Sequence, residues 1–150
     1  MTQHYQHIMV ALDGSKSAEL ALHKAIHVAL RNQAQLFLVH VVDTRAIQSV
    51  TPFDSDVYKQ LKIEAQKMLE EYVQQAQAAG LTEVHQVIEF GNPKTLLATD
   101  IPEEHKIDLI MVGATGLNAF ERLLVGSSSE YILRHAKVDF LVVRDQEDLF

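Results

Sequence analysis

The 150-residue chain has no cysteine, which excludes a disulfide framework, a Cys₄ zinc site, a thiolate nucleophile and a thioredoxin-type dithiol pair. Glycine and proline are scarce, at 6 and 3 residues, so neither a collagen repeat nor a Pro/Gly-rich disordered tract fits. The 47% hydrophobic content is that of a packed globule. No apolar run approaches the roughly 18 residues of a membrane span. The opening MTQHYQHIMVALDGS has neither a basic region nor an apolar stretch of signal-peptide length. The expectation is a cytoplasmic protein that does not engage a membrane. Positive charge is also short: 13 Lys and Arg face 20 Asp and Glu, for a formal charge of −7. A field of that sign repels a phosphate backbone and argues against a nucleic-acid binder. A small phosphorylated ligand stays open, because clustered backbone N–H groups act locally.

What is present alternates regularly. Ile8 to Leu12 is a continuous apolar run stopping at Asp13-Gly14-Ser15, as a strand buried on both faces does at a turn. From Ser17 to about Arg31, Ala18, Leu22, Ala25, Ile26 and Ala29 recur at helical spacing opposite Lys24, His27 and Arg31, with Ser15 or Ser17 as N-cap. Leu36 to Val42 repeats the buried-strand pattern, and Asp43 to Asp56 reads as a loop broken by Pro52. Val57 to Ala79 is a long helix ending at Gly80, with Leu61, Ala65, Met68, Leu69, Tyr72, Val73 and Ala76 along one stripe. Val84 to Phe90 alternates as a strand nearer the sheet edge would. Asn92-Pro93 precedes a short helix, Thr95 to Ile101, ended by Pro102. Leu109 to Val112 is a fourth strand, Ser127 to His135 a further helix, and Val138 to Val143 a fifth strand. With no linker or repeat, residues 1–150 read as one α/β domain with a mostly parallel sheet. Its ligand site belongs beyond the carboxyl ends of the strands, where strand order reverses.

The connection after the fourth strand is the informative segment. It holds Gly113, Gly116 and Gly126, half of the chain's 6 glycines. Gly113 and Gly116 allow close backbone approach to a ligand or positive φ. Gly126-Ser127-Ser128 leads into a helix whose free N–H groups favour an anion. Ser127 and Glu130 also have capping-box spacing, which needs no ligand. Asp13 likewise has two readings, as a ligand-facing carboxylate or as an Asp-Gly turn residue capping the first helix.

Gly-x-x-Gly, nine residues, then Gly-Ser, here Gly113, Gly116, Gly126 and Ser127, resembles the nucleotide-binding signature of the universal stress protein family. VALDGS, LVHVVD, the GNP turn, DLIMVGATG and the closing LVVR resemble that family's landmarks in order along the whole chain. The resemblance implies an open five-stranded parallel sheet of order 3-2-1-4-5 with helices on both faces, like that of the adenine nucleotide α-hydrolases. It also implies a homodimer and, in the branch with the glycine signature, bound ATP accompanied by Mg²⁺ held through phosphate oxygens and water, AMP or another adenylate being open. It places Asp13 beside adenine or ribose, Ala11 along the base and Val41 at the base edge. Gly113, Ala114, Thr115 and Gly116 fall at ribose and phosphate, with Gly126, Ser127, Ser128 and Ser129 at the phosphates. Two positions depart from the family pattern. Ser128 stands where an apolar residue or Thr is frequent, and Asp139 stands where proline commonly opens the fifth strand, which leaves that edge more flexible.

The implied role is regulatory, a nucleotide-dependent change of shape or partner in a stress response. Without an evident general base, ATP hydrolysis is at most weak, so the chain reads as a binding protein and not an enzyme. An adenylating enzyme of the α-hydrolase type would need cationic groups near the α-phosphate that the sequence does not display. A structural dimer with an empty site is opposed by the intact glycines. Gly91 to Thr95 ends in Lys-Thr as a P-loop does, but Pro93 replaces the glycine required before the lysine. His23 and His27, with Glu19, have metal-ligand spacing, yet a solvated helix face accounts for them better. No Gly-x-Ser-x-Gly elbow is present. Arg122 either reaches phosphate or is solvated, and the fifth strand's edge either pairs with a second copy or is guarded by Lys137, Asp139 and Arg144.

Overall fold

A computed structural model describes residues 4–45, 55–114 and 127–144. In chain order it contains β1 (His7–Ala11), α1 (Lys16–Asn32), β2 (Gln35–Asp43), α2 (Ser55–Ala78) and β3 (Val84–Gly91). A short helix α3 (Pro93–Thr95) then runs through a π-helical segment, Leu96–Asp100, into α4 (Ile101–His105), followed by β4 (Leu109–Gly113), α5 (Ser127–His135) and β5 (Asp139–Val143). The strands form one sheet of order β3-β2-β1-β4-β5, and every pairing is parallel. The order expected from the family resemblance is the observed one.

The central strands are apolar without alternation because both faces are covered. On one face Ile8, Val10, Leu36, Leu38 and Met111 meet Ala18, Leu22, Ala25 and Ala29 of α1 and Leu69, Val73 and Ala76 of α2. On the other, Met9, Ala11, Val39, Ile110 and Val112 meet Leu97, Ala98 and Ile101 and, from α5, Ile132. Burial of each such Leu or Ile stabilises the fold by about 1.5–3 kcal/mol. Ser15 caps α1, its hydroxyl oxygen accepting from the Ala18 N–H at 3.1 Å. That leaves Ser17, the other candidate, inside the first turn.

Pro102 does not end the helix as expected. The Ile101 N–H bonds to the Leu96 carbonyl, five residues back, and Pro102 follows as the second residue of α4. A proline cannot donate to the carbonyl four residues behind it. The π register absorbs the missing bond before the proline is reached, and the chain continues to His105.

At the other edge, Asp139 pairs with Leu109 and accepts a 2.7 Å hydrogen bond from the Tyr5 hydroxyl. The start of this edge strand is thereby tied to the beginning of the chain through a side-chain bond that proline could not make. The bond to Asp139, more than burial, pushes the Tyr5 phenol above its ordinary pKa. Among the described residues no helix is long and apolar enough to cross a membrane.

Candidate functional site

The carboxyl end of β1 is held firmly from the side. The Leu12 N–H donates to the Val39 carbonyl at 2.8 Å, continuing the β1–β2 ladder one residue past the strand. The Leu12 carbonyl accepts from His40 Nδ1 at 2.7 Å. A carbonyl can only accept, so Nδ1 carries the proton in that contact and the neutral ring is of one tautomer. With Leu12 fixed on both sides, Asp13 projects from the strand end. Asp13 Oδ1 accepts from the Ser15 N–H at 3.0 Å, and Gly14 turns the chain at φ +84°. This is an Asx turn feeding directly into the Ser15 cap. The turn uses Oδ1 and leaves Asp13 exposed, with acceptor capacity still available to a ligand.

Beside Asp13 opens a cavity of about 360 Å³ lined by Ala11, Leu12, Asp13, Val39, Val41, Asp43, Arg45, Pro93, Lys94, Leu97 and Ser128. Its floor follows from register. Ala11 pairs with Val39, and Val41, two residues on, lies on the same face of the sheet. Leu97 of the π segment closes the apolar side. The polar rim is built from the end of β2, the first turn of α3 and the first turn of α5. Arg45 grips Asp43 through Nε at 3.0 Å and Nη2 at 2.8 Å, and its backbone N–H adds a third bond at 3.0 Å. The guanidinium hydrogen bonds hold the Asp43 carboxyl below its usual range. On the other face of the sheet, burial and the Glu19 and Asp13 carboxylates push the Tyr72 phenol up to about 12. The phenol donates to Glu19 at 3.3 Å.

Of the residues named from sequence, Ala11, Asp13, Val41 and Ser128 line this cavity. Gly113 and Ala114 stand at the end of β4 with other obligations. A Cβ on Gly113 would lie 2.5 Å from the Ser17 carbonyl oxygen and 2.7 Å from its carbon, and would also strike the Ser17 hydroxyl. Close packing of β4 against α1 therefore requires this glycine without reference to a ligand. The Ala114 N–H donates to the Val143 carbonyl at 2.9 Å, so that amide belongs to the sheet. Ser129 is buried, with 2% of its surface exposed. Ser127 begins α5. Thr115, Gly116, Arg122 and Gly126 lie outside the described residues, as does the proposed convergence of their amides.

Sequence reasoning missed Val39, Asp43, Arg45, Pro93, Lys94 and Leu97. The strand-end rule reaches Asp43, the last residue of β2 beside β1, whereas Val39 lies mid-strand and comes to the cavity through its pairing with Ala11 at the end of β1. Gly91 to Thr95 is a helix start and not a phosphate loop: Asn92 Oδ1 accepts from the Lys94 N–H at 3.0 Å with Pro93 in the first turn. The helix-face reading of His23 and Glu19 agrees with their contacts. His23 meets Gln75 at 3.4 Å, and Glu19 receives Tyr72. Among the described residues no three His, Cys, Asp or Glu side chains are grouped so as to hold a metal.

A larger cavity, about 610 Å³, lies at the opposite end of the sheet among Gln6, Asn32, Gln35, Gly80 and Glu83. There α1 and α2 end, and helix C-termini present carbonyl oxygens that disfavour an anion. The smaller cavity has the helix starts and the strand carboxyl ends, and is the better candidate.

An open parallel α/β sheet with a cleft at the ends of β1 and β2, under helix N-termini, defines the class of doubly wound ligand-binding domains. The model of the universal stress protein family matches residues 4–144, and the chain belongs to that family. It is 43% identical over 143 residues to a protein named as a universal stress protein in Staphylococcus haemolyticus, covering 95% of this chain and 87% of that one. The solved universal stress protein UspA from Lactobacillus plantarum is similar with a TM-score of 0.84 at 31% identity, over 95% of this chain and 100% of that chain. A universal stress protein solved in complex with cAMP is similar with a TM-score of 0.68 at 28% identity, over 94% of this chain and 98% of that chain.

Proposed function

We propose that this protein binds an adenine nucleotide, ATP foremost, in the cavity at the ends of β1 and β2, and that the bound nucleotide sets its shape or its choice of partner. The observation that supports this best is the cavity itself. Its apolar floor of Ala11, Val39, Val41 and Leu97 meets the exposed carboxylate of Asp13 at one wall, the Asp43–Arg45 pair on the rim, and Ser128, in the first turn of a helix, at another wall. A purine needs an apolar slot with a hydrogen-bond acceptor for its amino group or for the ribose hydroxyls, and phosphates need donors at a helix start. About 360 Å³ falls within the range of roughly 300–1,000 Å³ typical of small-molecule sites. The relative solved with cAMP adds that an adenylate is the ligand of one similar protein.

In this reading Ala11 and Val41 flank the base, and Asp13 accepts from amino or hydroxyl groups. Ser127, Ser128 and Ser129 start the helix that receives the phosphates, and Gly113 to Gly116 with Gly126 carry the chain across them. Mg²⁺ enters as a companion of the phosphates. The role is regulatory and cytoplasmic, with turnover of ATP slow or absent. The edge of β5 is the surface along which a second copy would pair.

The test is to purify the protein, identify any small molecule released on denaturation, and follow added ATP for hours with and without Mg²⁺. Retained adenylate with little turnover is expected. Rapid adenylate formation on a second substrate would replace this reading with that of an enzyme, and absence of any binding at micromolar protein would remove it.

A further inference from the structure

Lys94 is the residue on the rim whose role the site does not yet explain. The Asn92 cap and Pro93 fix its backbone in the first turn of α3, and its half-buried side chain lines the candidate cavity together with Ser128. It also lines a second, shallower space of about 270 Å³ with Glu130, Tyr131, Arg134 and His135 of α5. Lys94 therefore stands where the candidate cavity adjoins α5.

Two of the carboxylates around it are paired with other cations, Asp43 with Arg45 and Glu130 with Arg134 at 3.0 Å. Asp13 gives one oxygen to the Ser15 N–H of its own turn. Among the described residues Lys94 makes no ion pair. Arg45, the other cation on the rim, is already neutralised by a two-pronged grip on Asp43.

Building on the nucleotide reading above, we infer that Lys94 is the specificity-determining charge of the cavity, setting affinity by the number of phosphates the ligand carries. An ammonium held beside the apolar Pro93 and Leu97 feels a phosphate oxygen more strongly than one in open water, and as a point charge it tolerates several phosphate positions. Asp13 and the apolar floor recognise the nucleoside in common to all adenylates. Lys94 distinguishes among them.

The experiment is calorimetric titration of the wild type, Lys94→Met and Lys94→Arg with adenosine, AMP, ADP and ATP, alongside thermal melts. The wild type is expected to bind more tightly with each added phosphate. Lys94→Met should weaken ATP by about tenfold and adenosine by less than about twofold. Lys94→Arg should recover most of the ATP affinity, and the ATP advantage should shrink with added salt. Equal weakening of adenosine and ATP by Lys94→Met, or no weakening of either, would overturn the inference while leaving the nucleotide site standing. Failure of the wild type to bind any of the four ligands would overturn both.

Discussion

Gly113→Ala is expected to destabilise the protein by about 3 kcal/mol, the upper part of the range for an overpacked interior. At roughly 2–4 °C per kcal/mol for a chain of this size, the midpoint of thermal unfolding falls by roughly 6–12 °C. The cause is geometric. The added Cβ meets backbone atoms of Ser17, at 2.5 Å from the carbonyl oxygen and 2.7 Å from the carbon, and backbone cannot rotate aside as a flexible side chain does. Either β4 or the first turn of α1 must shift, and both are fixed, β4 by its parallel partners β1 and β5 and the turn by the Ser15 cap. Removing the Ser17 hydroxyl as well, in Gly113→Ala with Ser17→Ala, should not restore stability, because the carbonyl remains. Chemical or thermal denaturation checks this. An unchanged midpoint accompanied by lost nucleotide binding would mean that the glycine serves the ligand and not the packing.

Asp13→Ala is expected to weaken adenosine and ATP alike, by about tenfold to a hundredfold, since a hydrogen bond to an ionised group is worth about 1.5–3 kcal/mol. Equal loss for both ligands separates this residue from Lys94, whose substitution acts on the phosphates. Asp13 also makes the 3.0 Å bond to the Ser15 N–H, so Asp13→Ala loses some stability at the α1 entry. Asp13→Asn keeps an acceptor for that turn and is the cleaner variant. It should melt close to the wild type while binding nucleotide more weakly, because a neutral amide replaces a carboxylate. Titration calorimetry paired with melting curves provides both readouts. Full adenosine affinity in both variants, with only the melting point lowered, would reduce Asp13 to a helix-entry residue.

Strands and long helices were legible from sequence because their signals are local. The unbroken apolar runs at Ile8 and Leu36 mark strands covered on both faces, and the three-and-four spacing of Ala18, Leu22 and Ala25 marks the buried stripe of α1. Strand order was legible only through family resemblance, since periodicity does not say on which side of β1 the chain crosses over. The segment around Pro102 was misread because a proline is a stop in an α-register and not after a π turn. In the site, Ala11 and Val41 were legible only through the family resemblance, and Asp13 through it and as the residue at which the first strand stops. Lys94 and Arg45 were not, because their place on the rim depends on how the α3 turn and the end of β2 come together in three dimensions. Gly113 was named for its permissive backbone. The Ser17 contact that demands it joins residues 96 positions apart, and no local pattern reports it.

The most direct test is an ATP titration followed by backbone amide NMR on the isotopically labelled full chain. Saturable shifts are expected at residues 11–13 and 39–45, at Lys94 and Leu97, and at 127–129, with the Gln6, Asn32 and Glu83 end of the sheet unmoved. Shifts confined to that opposite end, or no saturable shift at millimolar ATP, would contradict a nucleotide site at the ends of β1 and β2.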